Sequence, residues 1–176
     1  MTPETAFPAP GRPVLAVHVV GTPKPQGSKR AFVVKKKGQK ARAIVVDDAK
    51  GPLQDWRASV TQAALTALNG QAPAVGPLAV RLVFALPRPA SAPKGRRVWP
   101  VGRVGDVDKL ARSVLDSLTD AGVWRDDCQV IDLRVVKDYP GPDIGQHIPG
   151  VRITVHHLGD DSAAEQPALP IEGVQQ

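Results

Sequence analysis

Four aspartates in the middle of the chain are the residues whose type and spacing could do chemistry. Asp106 and Asp108 lie at the start of the stretch GDVDKLARSVLDSLTDAG, and Asp126 and Asp127 follow that stretch as an adjacent pair. Carboxylates that converge repel one another unless a cation lies among them, and hard oxygen ligands suit Mg²⁺ or Mn²⁺. The pattern therefore indicates a candidate metal site, with ordinary structural roles as the alternative.

Each of those structural roles is specific. Asp106 stands where an N-cap belongs, with a side chain able to accept a hydrogen bond from a backbone N–H. Asp108 falls at the edge of the apolar stripe of the following helix, where a partly buried carboxylate needs a partner, and Arg112 is one turn away. Turn acids such as Asp126 and Asp127 are commonly structural. Spacing alone leaves both interpretations open.

Other sites that use an Asp-x-Asp pattern have requirements that can be compared with the sequence. An EF-hand loop needs an oxygen ligand at its fifth position and glycine at its sixth, which are Leu110 and Ala111 here. A dehalogenase-like nucleophile is expected at the end of a hydrophobic strand, but Asp106 follows Arg-Val-Gly. A sugar-nucleotide transferase could hold a metal in this way, although the chain is short and has no Rossmann-like glycine signature. For the four histidines we expect structural or solvent-facing roles.

The hydrophobic periodicity predicts the elements that must position these acids. Strands are predicted at RPVLAVHVVG, LAVRLVFALP, CQVIDLRVV and GVRITVHHL, and a hairpin at FVVKKKGQKARAIVV that turns at residues 37–39. Helices are predicted over residues 53–68 and from Asp106 to a C-terminal cap at Gly122. The order β, β, α, β, α, β, β predicts an α+β fold, a mixed β-sheet packed against two main helices in a single small domain. A strand that follows a helix through a short connection returns beside it, so we expect Asp126 or Asp127 to approach Asp106 and Asp108.

Length and composition limit the class of protein. The 176 residues suit one domain over residues 13–158, with a flexible N-terminal segment (1–12) and a disordered acidic tail (159–176) that has four acids and no Lys or Arg. No apolar run approaches the roughly 20 residues that span a bilayer, so a membrane protein is not expected. The N-terminus does not resemble a signal peptide, and the single cysteine cannot form an internal disulfide. We therefore expect a cytoplasmic protein.

Positive charge is concentrated on both sides of the acid-rich centre. The formal net charge is +6, with nine basic residues between positions 21 and 50 and six, with no acid, between 81 and 103. Such clusters are either solvated surface or sites for a polyanion such as nucleic acid. The chain has three Trp, one Tyr and three Phe, which argues against a stacking platform for single-stranded nucleic acid.

The stretch from Gly105 to Tyr139, GDVDKLARSVLDSLTDAGVWRDDCQVIDLRVVKDY, resembles the core of the RusA family of Holliday junction resolvases. In that family an Asp-x-Asp-Asn motif opens a helix, a basic residue follows about one turn on, and Asp-Asp-Xaa-Gln-Val begins the next strand. The match spans about 35 residues, and GTPKPQGSKR is similar to a Pro-rich and basic N-terminal loop of relatives. Either acid motif alone is weak, whereas both at this spacing are fairly specific.

The resemblance implies a small dimeric, magnesium-dependent endonuclease that binds four-way DNA junctions and nicks two strands symmetrically during recombination and repair. Asp106, Asp108 and Asp127 match the essential acids, and Asp126 matches a supporting one. These four would be the ligands of Mg²⁺, with Mn²⁺ as the alternative ion, and no organic cofactor or membrane partner is implied. Arg112 would stabilise the negative charge that develops on the phosphate.

Two positions depart from the family pattern. Lys109 stands where the family usually has Asn, and Arg112 stands where it usually has Lys, which keeps the charge but loses a compact ammonium. The basic stretches would supply phosphate contacts, which position DNA without reading its bases. The residues expected to contact DNA are Lys24, Lys29, Arg30, Lys35, Lys36, Lys37, Lys40, Arg96, Arg97, Arg103 and Lys109.

Two other functions remain open from the sequence. In a non-catalytic DNA-junction-binding module, Asp106 would cap the helix, Asp108 would pair with Arg112 and the turn acids would be solvated. A metal-dependent transferase acting on nucleotides would need a small-molecule pocket that the sequence does not indicate. Dependence on a divalent metal separates the nuclease from the binding module.

Overall fold

The computed structural model describes residues 10–27, 30–34, 42–46, 51–93, 96–101 and 105–158, with only the backbone described at 10, 30–34 and 42–46. The predicted acidic tail, the turn of the predicted hairpin at 37–39 and residues 1–9 of the predicted N-terminal segment lie outside the described residues.

Eight strands and helices follow one another along the described chain. They are β1 (Pro10–Val20), β2 (Arg30–Val34), β3 (Arg42–Val46), α1 (Pro52–Leu68), β4 (Leu78–Ala85), α2 (Val107–Asp120), β5 (Val130–Asp138) and β6 (Gly150–Leu158). Both predicted helices are confirmed. The predicted order is one strand short, because the hairpin contributes two strands, β2 and β3, that pair antiparallel in a separate two-stranded sheet. None of the helices in these described ranges is long and apolar enough to cross a membrane.

The main sheet is mixed, which confirms the predicted α+β fold. Its strand order is β1-β6-β4-β5, with β4 and β5 parallel and the other neighbours antiparallel. Parallel neighbours need a crossover connection, and α2 lies in the one between β4 and β5. The crossover helix runs opposite to the strands that it joins. The end of α2 therefore lies near the start of β5, and the start of α2 lies near the end of β5.

The hydrophobic core lies between one face of this sheet and the two helices. Trp56 and Val60 of α1 and Leu110, Val114 and Leu118 of α2 are buried in one cluster with side chains of β1, β4 and β6. Fully burying a side chain of this size contributes about 1.5–3 kcal/mol. This packing fixes α2, and with it the spacing between the two pairs of aspartates.

Helix α2 ends at the glycine cap, Gly122, that the sequence predicts. Gly122 has a φ of 73°, its N–H donates to the Thr119 carbonyl at 2.9 Å, and the Val123 N–H donates to the Leu118 carbonyl at 3.0 Å. These two bonds form a Schellman motif, in which a left-handed glycine satisfies the last carbonyls of a helix. The chain then turns towards Asp126.

Candidate active site

Asp106 occupies the N-cap position of α2 but does not cap it. Its backbone is extended there (φ −75°, ψ 144°), and its side chain makes no capping hydrogen bond. The carboxylate instead accepts a hydrogen bond from Lys109 Nζ at 2.8 Å, so the capping bond predicted from the sequence is wrong. The hydrogen bond and charge of Lys109, together with the charge of Lys137, lower the pKa of Asp106 below its ordinary value. Asp106 is therefore an exposed anion at neutral pH.

The start of α2 is held from two sides. Lys137 Nζ, near the end of β5, donates to the Gly105 carbonyl at 2.8 Å. On the other side the Gln26 N–H donates to the Lys109 carbonyl at 2.9 Å. Gly105 has a φ of 99°, and a Cβ there would lie 3.3 Å from Pro25 Cγ, so the position needs glycine. Lys137 is a site residue that the sequence does not indicate, because only the crossover of α2 brings the end of β5 to Asp106.

Asp108 is exposed, contrary to its predicted partial burial. The buried positions of α2 begin at Leu110 and Ala111, and Asp108 and Arg112 lie one turn apart on the exposed part of the helix surface. Among the ion pairs of the described residues, none joins Asp108 to Arg112, so the predicted structural pair is not formed. Both charges face solvent, where a ligand can reach them.

Asp126 and Asp127 lie in a turn that the surrounding residues fix firmly. The Asp126 side chain accepts the Cys128 N–H at 2.8 Å, which lowers the pKa of Asp126. The Gln129 side-chain amide donates to the carbonyls of Ala74 at 3.0 Å and Gly76 at 3.2 Å. This explains why a glutamine follows the acid pair: it ties the turn to the loop before β4. Asp127 is exposed at the start of a 3₁₀ turn, Asp127–Gln129.

The two acid pairs lie at opposite ends of α2. A cavity of about 200 Å³ near the C-terminal end of the helix is lined by Arg57, Asp116, Thr119, Asp120, Asp126 and Asp127. Position 116 is ten residues from Asp106, which is roughly 15 Å along a helix. Similarly, the eight residues of β5 from Val130 to Lys137 span seven steps, or about 23 Å. Within one chain the expected approach of Asp127 to Asp106 and Asp108 is therefore not made.

The separation follows from the connection itself. The acid pair precedes β5 directly, so it stays beside the end of α2, while only the far end of β5 returns to Asp106. In the part of the chain that the structure describes, no three His, Cys, Asp or Glu side chains are grouped so that they could hold a metal ion. Asp106 and Asp108 form one exposed pair of carboxylates, and Asp126 and Asp127 form a second.

The residues predicted to contact DNA fall into three groups. Arg96 is exposed, and Lys24 is half-buried in the loop that packs on the start of α2. Arg97 and Lys109 already bind carboxylates of the protein, Arg97 those of Asp138 and Asp143. The others lie outside the described residues or have no described side chain, namely Lys29, Arg30, Lys35, Lys36, Lys37, Lys40 and Arg103.

The fold and these two acid pairs agree with the comparison to known families. The family described as "Endodeoxyribonuclease RusA" matches residues 22–156. The match covers well over half of the chain and includes both acid pairs, β5 and the loop before the hairpin. The chain therefore belongs to this family, which confirms the resemblance read from the sequence.

Curated relatives are similar over a shorter stretch. The chain is 53% identical over 38 residues to proteins named "Crossover junction endodeoxyribonuclease RusA" from Escherichia coli (strain K12) and Shigella sonnei (strain Ss046). The same identity and length hold for the protein of that name from Enterobacteria phage 82. The matched stretch covers 22% of this chain and 32% of each relative. The chain thus matches about a third of the length of these relatives.

Proposed function

We propose that this protein is a magnesium-dependent endodeoxyribonuclease that resolves four-way DNA junctions by paired, symmetric nicks during recombination and repair. Membership of the RusA family and the names of its relatives support this class of activity. The observation that carries the proposal is that Asp106 and Asp108 are exposed carboxylates, that Asp106 does not cap α2, and that Asp108 makes no ion pair with Arg112. Carboxylates free to take a new ligand are what a metal-dependent nuclease requires.

The same observation argues against the non-catalytic binding module. That module needs Asp106 to cap α2 and Asp108 to pair with Arg112, and neither bond is present among the described residues. Lys109 pairs with only one of these two exposed carboxylates, so without a bound metal the other would repel a DNA backbone. Their presence in a chain with a formal net charge of +6 is therefore better explained by a metal that joins protein to phosphate.

A homodimer would complete the site. Asp108, Arg112 and Asp116 follow one another at four-residue spacing along α2, so a two-fold axis near Arg112 would exchange the two ends of the helix. It would bring Asp127 of one copy towards Asp106 and Asp108 of the other. β5, which begins three residues after Asp127, is an edge strand of the described sheet with Ile131 and Leu133 exposed at 67% and 41%. Exposed apolar residues on an edge strand offer a surface for a second copy.

The donor set fits a hard divalent cation. Asp106, Asp108 and a second copy's Asp127 would hold Mg²⁺ or Mn²⁺, with Asp126 supporting Asp127 through the turn. When bound, such an ion supplies Lewis-acid polarisation of a phosphodiester oxygen and lowers the pKa of a water molecule. The lowered pKa of Asp106 keeps that carboxylate in the ionised form that binds a metal.

Arg112 and the basic segments would act on the DNA itself. The exposed guanidinium of Arg112 lies one turn from Asp108 and would stabilise negative charge on the phosphate under attack. The basic stretches at residues 21–50 and 81–103 would bind the phosphates of the junction arms. Lys109 pairs with Asp106 in the free protein. When metal binds Asp106, the Lys109 ammonium would leave that ion pair and bind a DNA phosphate.

The test is a nicking assay on a labelled four-way junction with Mg²⁺ or with EDTA. The variant is Asp108→Asn, and the matched control is Asp55→Asn, since Asp55 is also an exposed aspartate in the first turn of a helix. We expect Asp108→Asn to lower the nicking rate by about 100-fold or more, because a bound metal contributes several kcal/mol to the transition state. Asp55→Asn should nick as the wild type does.

Two results would contradict the proposal. The first is full nicking by an Asp108→Asn protein whose melting temperature matches the wild type. The second is wild-type protein that binds the junction tightly and never cleaves it in Mg²⁺ or Mn²⁺, which would support the binding module instead.

A further inference from the structure

The segment before α2 contains a tight turn that presents two apolar side chains to solvent. The Val101 N–H donates to the Trp99 carbonyl at 2.9 Å, which closes a three-residue turn around the buried Pro100. Trp99 is 59% exposed and Val101 is 80% exposed. Large apolar side chains with this exposure on a structured turn indicate a surface that meets another molecule.

The exposed ring of Trp99 is held in place by a cation with its own anchors. The Arg97 guanidinium lies 4.1 Å from the centre of the Trp99 ring. Arg97 also binds Asp143 at 2.5 Å and Asp138, and Asp138 is 3% exposed and accepts the Tyr139 N–H at 2.7 Å. A ring fixed in this way loses little conformational entropy on binding, because its neighbours already hold it.

This turn stands at the same end of β5 as the first acid pair. Asp138, which anchors Arg97, directly follows Lys137, whose ammonium holds the Gly105 carbonyl. Gly105 directly precedes Asp106. Successive side chains of a strand point to opposite faces of the sheet, so the Trp99 turn and the Asp106–Asp108 pair are attached to opposite faces at the same end of β5. DNA bound at the acids would lie at that end of the strand.

We propose that Trp99 stacks on an unstacked nucleobase at the branch point of the DNA, and that this contact favours branched over linear DNA. The inference rests on the proposed function. A nucleobase in continuous duplex is covered on both faces by its neighbours, whereas a base at a branch point can expose one face. Aromatic side chains bind such faces strongly, and Arg97 behind the ring leaves Trp99 one side for the base.

The tryptophan content of the chain gives a direct measurement. The chain has three tryptophans, and Trp56 and Trp124 are 4% and 1% exposed, so Trp99 is the one that DNA can reach. Protein is titrated with a four-way junction or with linear duplex of the same sequence, in EDTA so that no strand is cut. Tryptophan emission, its quenching by acrylamide and the Kd are recorded.

Three variants separate stacking from other effects. Trp99→Ala removes the ring, Trp99→Phe keeps an aromatic face, and Leu65→Ala removes an exposed apolar side chain from α1. We expect Trp99→Ala to weaken junction binding roughly 5- to 100-fold, the range measured for loss of one base stack, and to change duplex binding by less than about twofold. Trp99→Phe should stay within about threefold of the wild type, and Leu65→Ala should be unchanged.

Emission should be quenched by the junction in the wild type and in Leu65→Ala but not in Trp99→Phe. Unchanged junction affinity in Trp99→Ala, with Trp99 still open to acrylamide in the wild-type complex, would overturn the inference. A second pair of results would also overturn it: Trp99 is shielded from acrylamide before DNA is added, and Trp99→Ala changes the oligomeric state of the protein. The ring would then bind a second copy of the chain. Wild-type protein that binds no junction would instead refute the proposed function, and the inference with it.

Discussion

Lys109 binds one of the two carboxylates at the start of α2, at a position where the resemblance to the family implies asparagine. The ion pair with Asp106 joins neighbours one helical turn apart, Asp106 exposed and Lys109 partly exposed. It holds the pKa of Asp106 below its ordinary value and raises the pKa of Lys109. An asparagine, which the family usually has at this position, would leave Asp106 without this charged partner.

We expect Lys109→Asn to raise the pKa of Asp106 towards the ordinary value of 3.8. A carboxyl whose pKa is depressed in the folded protein adds stability above its unfolded pKa and loses it as the pH falls through the folded value. The variant should therefore lose less stability than the wild type on acidification below about pH 4. NMR titration of the Asp106 carboxyl in metal-free protein measures the shift, and an unchanged pKa would contradict the role given to Lys109.

At the scale of elements, the link between the end of β5 and the start of α2 positions the first acid pair. Lys137 makes this link through its bond to the Gly105 carbonyl. A hydrogen bond that involves a charged group contributes about 1.5–3 kcal/mol when well formed, and partial exposure reduces this one. Without it, the first turn of α2 would keep the contact with the Pro25–Gln26 loop and the core packing of Leu110.

We expect Lys137→Met to lower stability by about 1 kcal/mol and to loosen the first turn of α2 selectively. Hydrogen exchange should speed up at residues 107–111 and stay unchanged in α1. Arg12→Met, which removes an exposed cation from β1, serves as the control and should change neither. Equal exchange rates in the Lys137 variant and the wild type would show that the loop and the core packing fix the start of the helix without Lys137.

The elements themselves were readable from the sequence, whereas their joint geometry was not. Both helices follow from apolar spacing, and Gly122 follows from the need for a left-handed residue after α2. The prediction that Asp127 approaches Asp106 assumed that a strand beside a helix also begins beside the start of that helix. An acid directly before a strand stays beside the end of the preceding helix, so a 14-residue helix separates the pairs. The bond of Lys137 to Gly105 and the ion pairs of Arg97 with Asp138 and Asp143 depend on tertiary packing that no local pattern indicates.

At the scale of the whole molecule, charge on both sides of the acid-rich centre should govern DNA affinity. Changing Lys35, Lys36, Lys37 and Lys40 together to Ala should weaken junction binding and flatten its salt dependence. If each lysine contacts one phosphate, the slope of log affinity against log salt should fall by roughly 3 to 4, since each contact releases almost one counterion. Affinity measured from low to moderate salt gives the slope. A slope equal to that of the wild type would place these lysines away from the DNA.

Because the two acid pairs are far apart within one chain, the proposed metal site requires two copies of the chain. If Asp106 and Asp108 of one copy act with Asp127 of the other, a single inactivating change in each copy leaves one complete site in a mixed dimer. Asp106→Asn and Asp127→Asn proteins should each fail to nick a junction alone. A dimer that contains one copy of each variant should nick the junction again.

The decisive measurement co-expresses the two variants with different affinity tags, purifies the doubly tagged dimer and assays junction nicking in Mg²⁺. We predict nicking of one strand per junction, at up to about half of the wild-type rate because one of the two sites is intact. A doubly tagged dimer that nicks nothing while the wild-type dimer is active, or variants that nick fully on their own, would contradict a metal site shared between two copies.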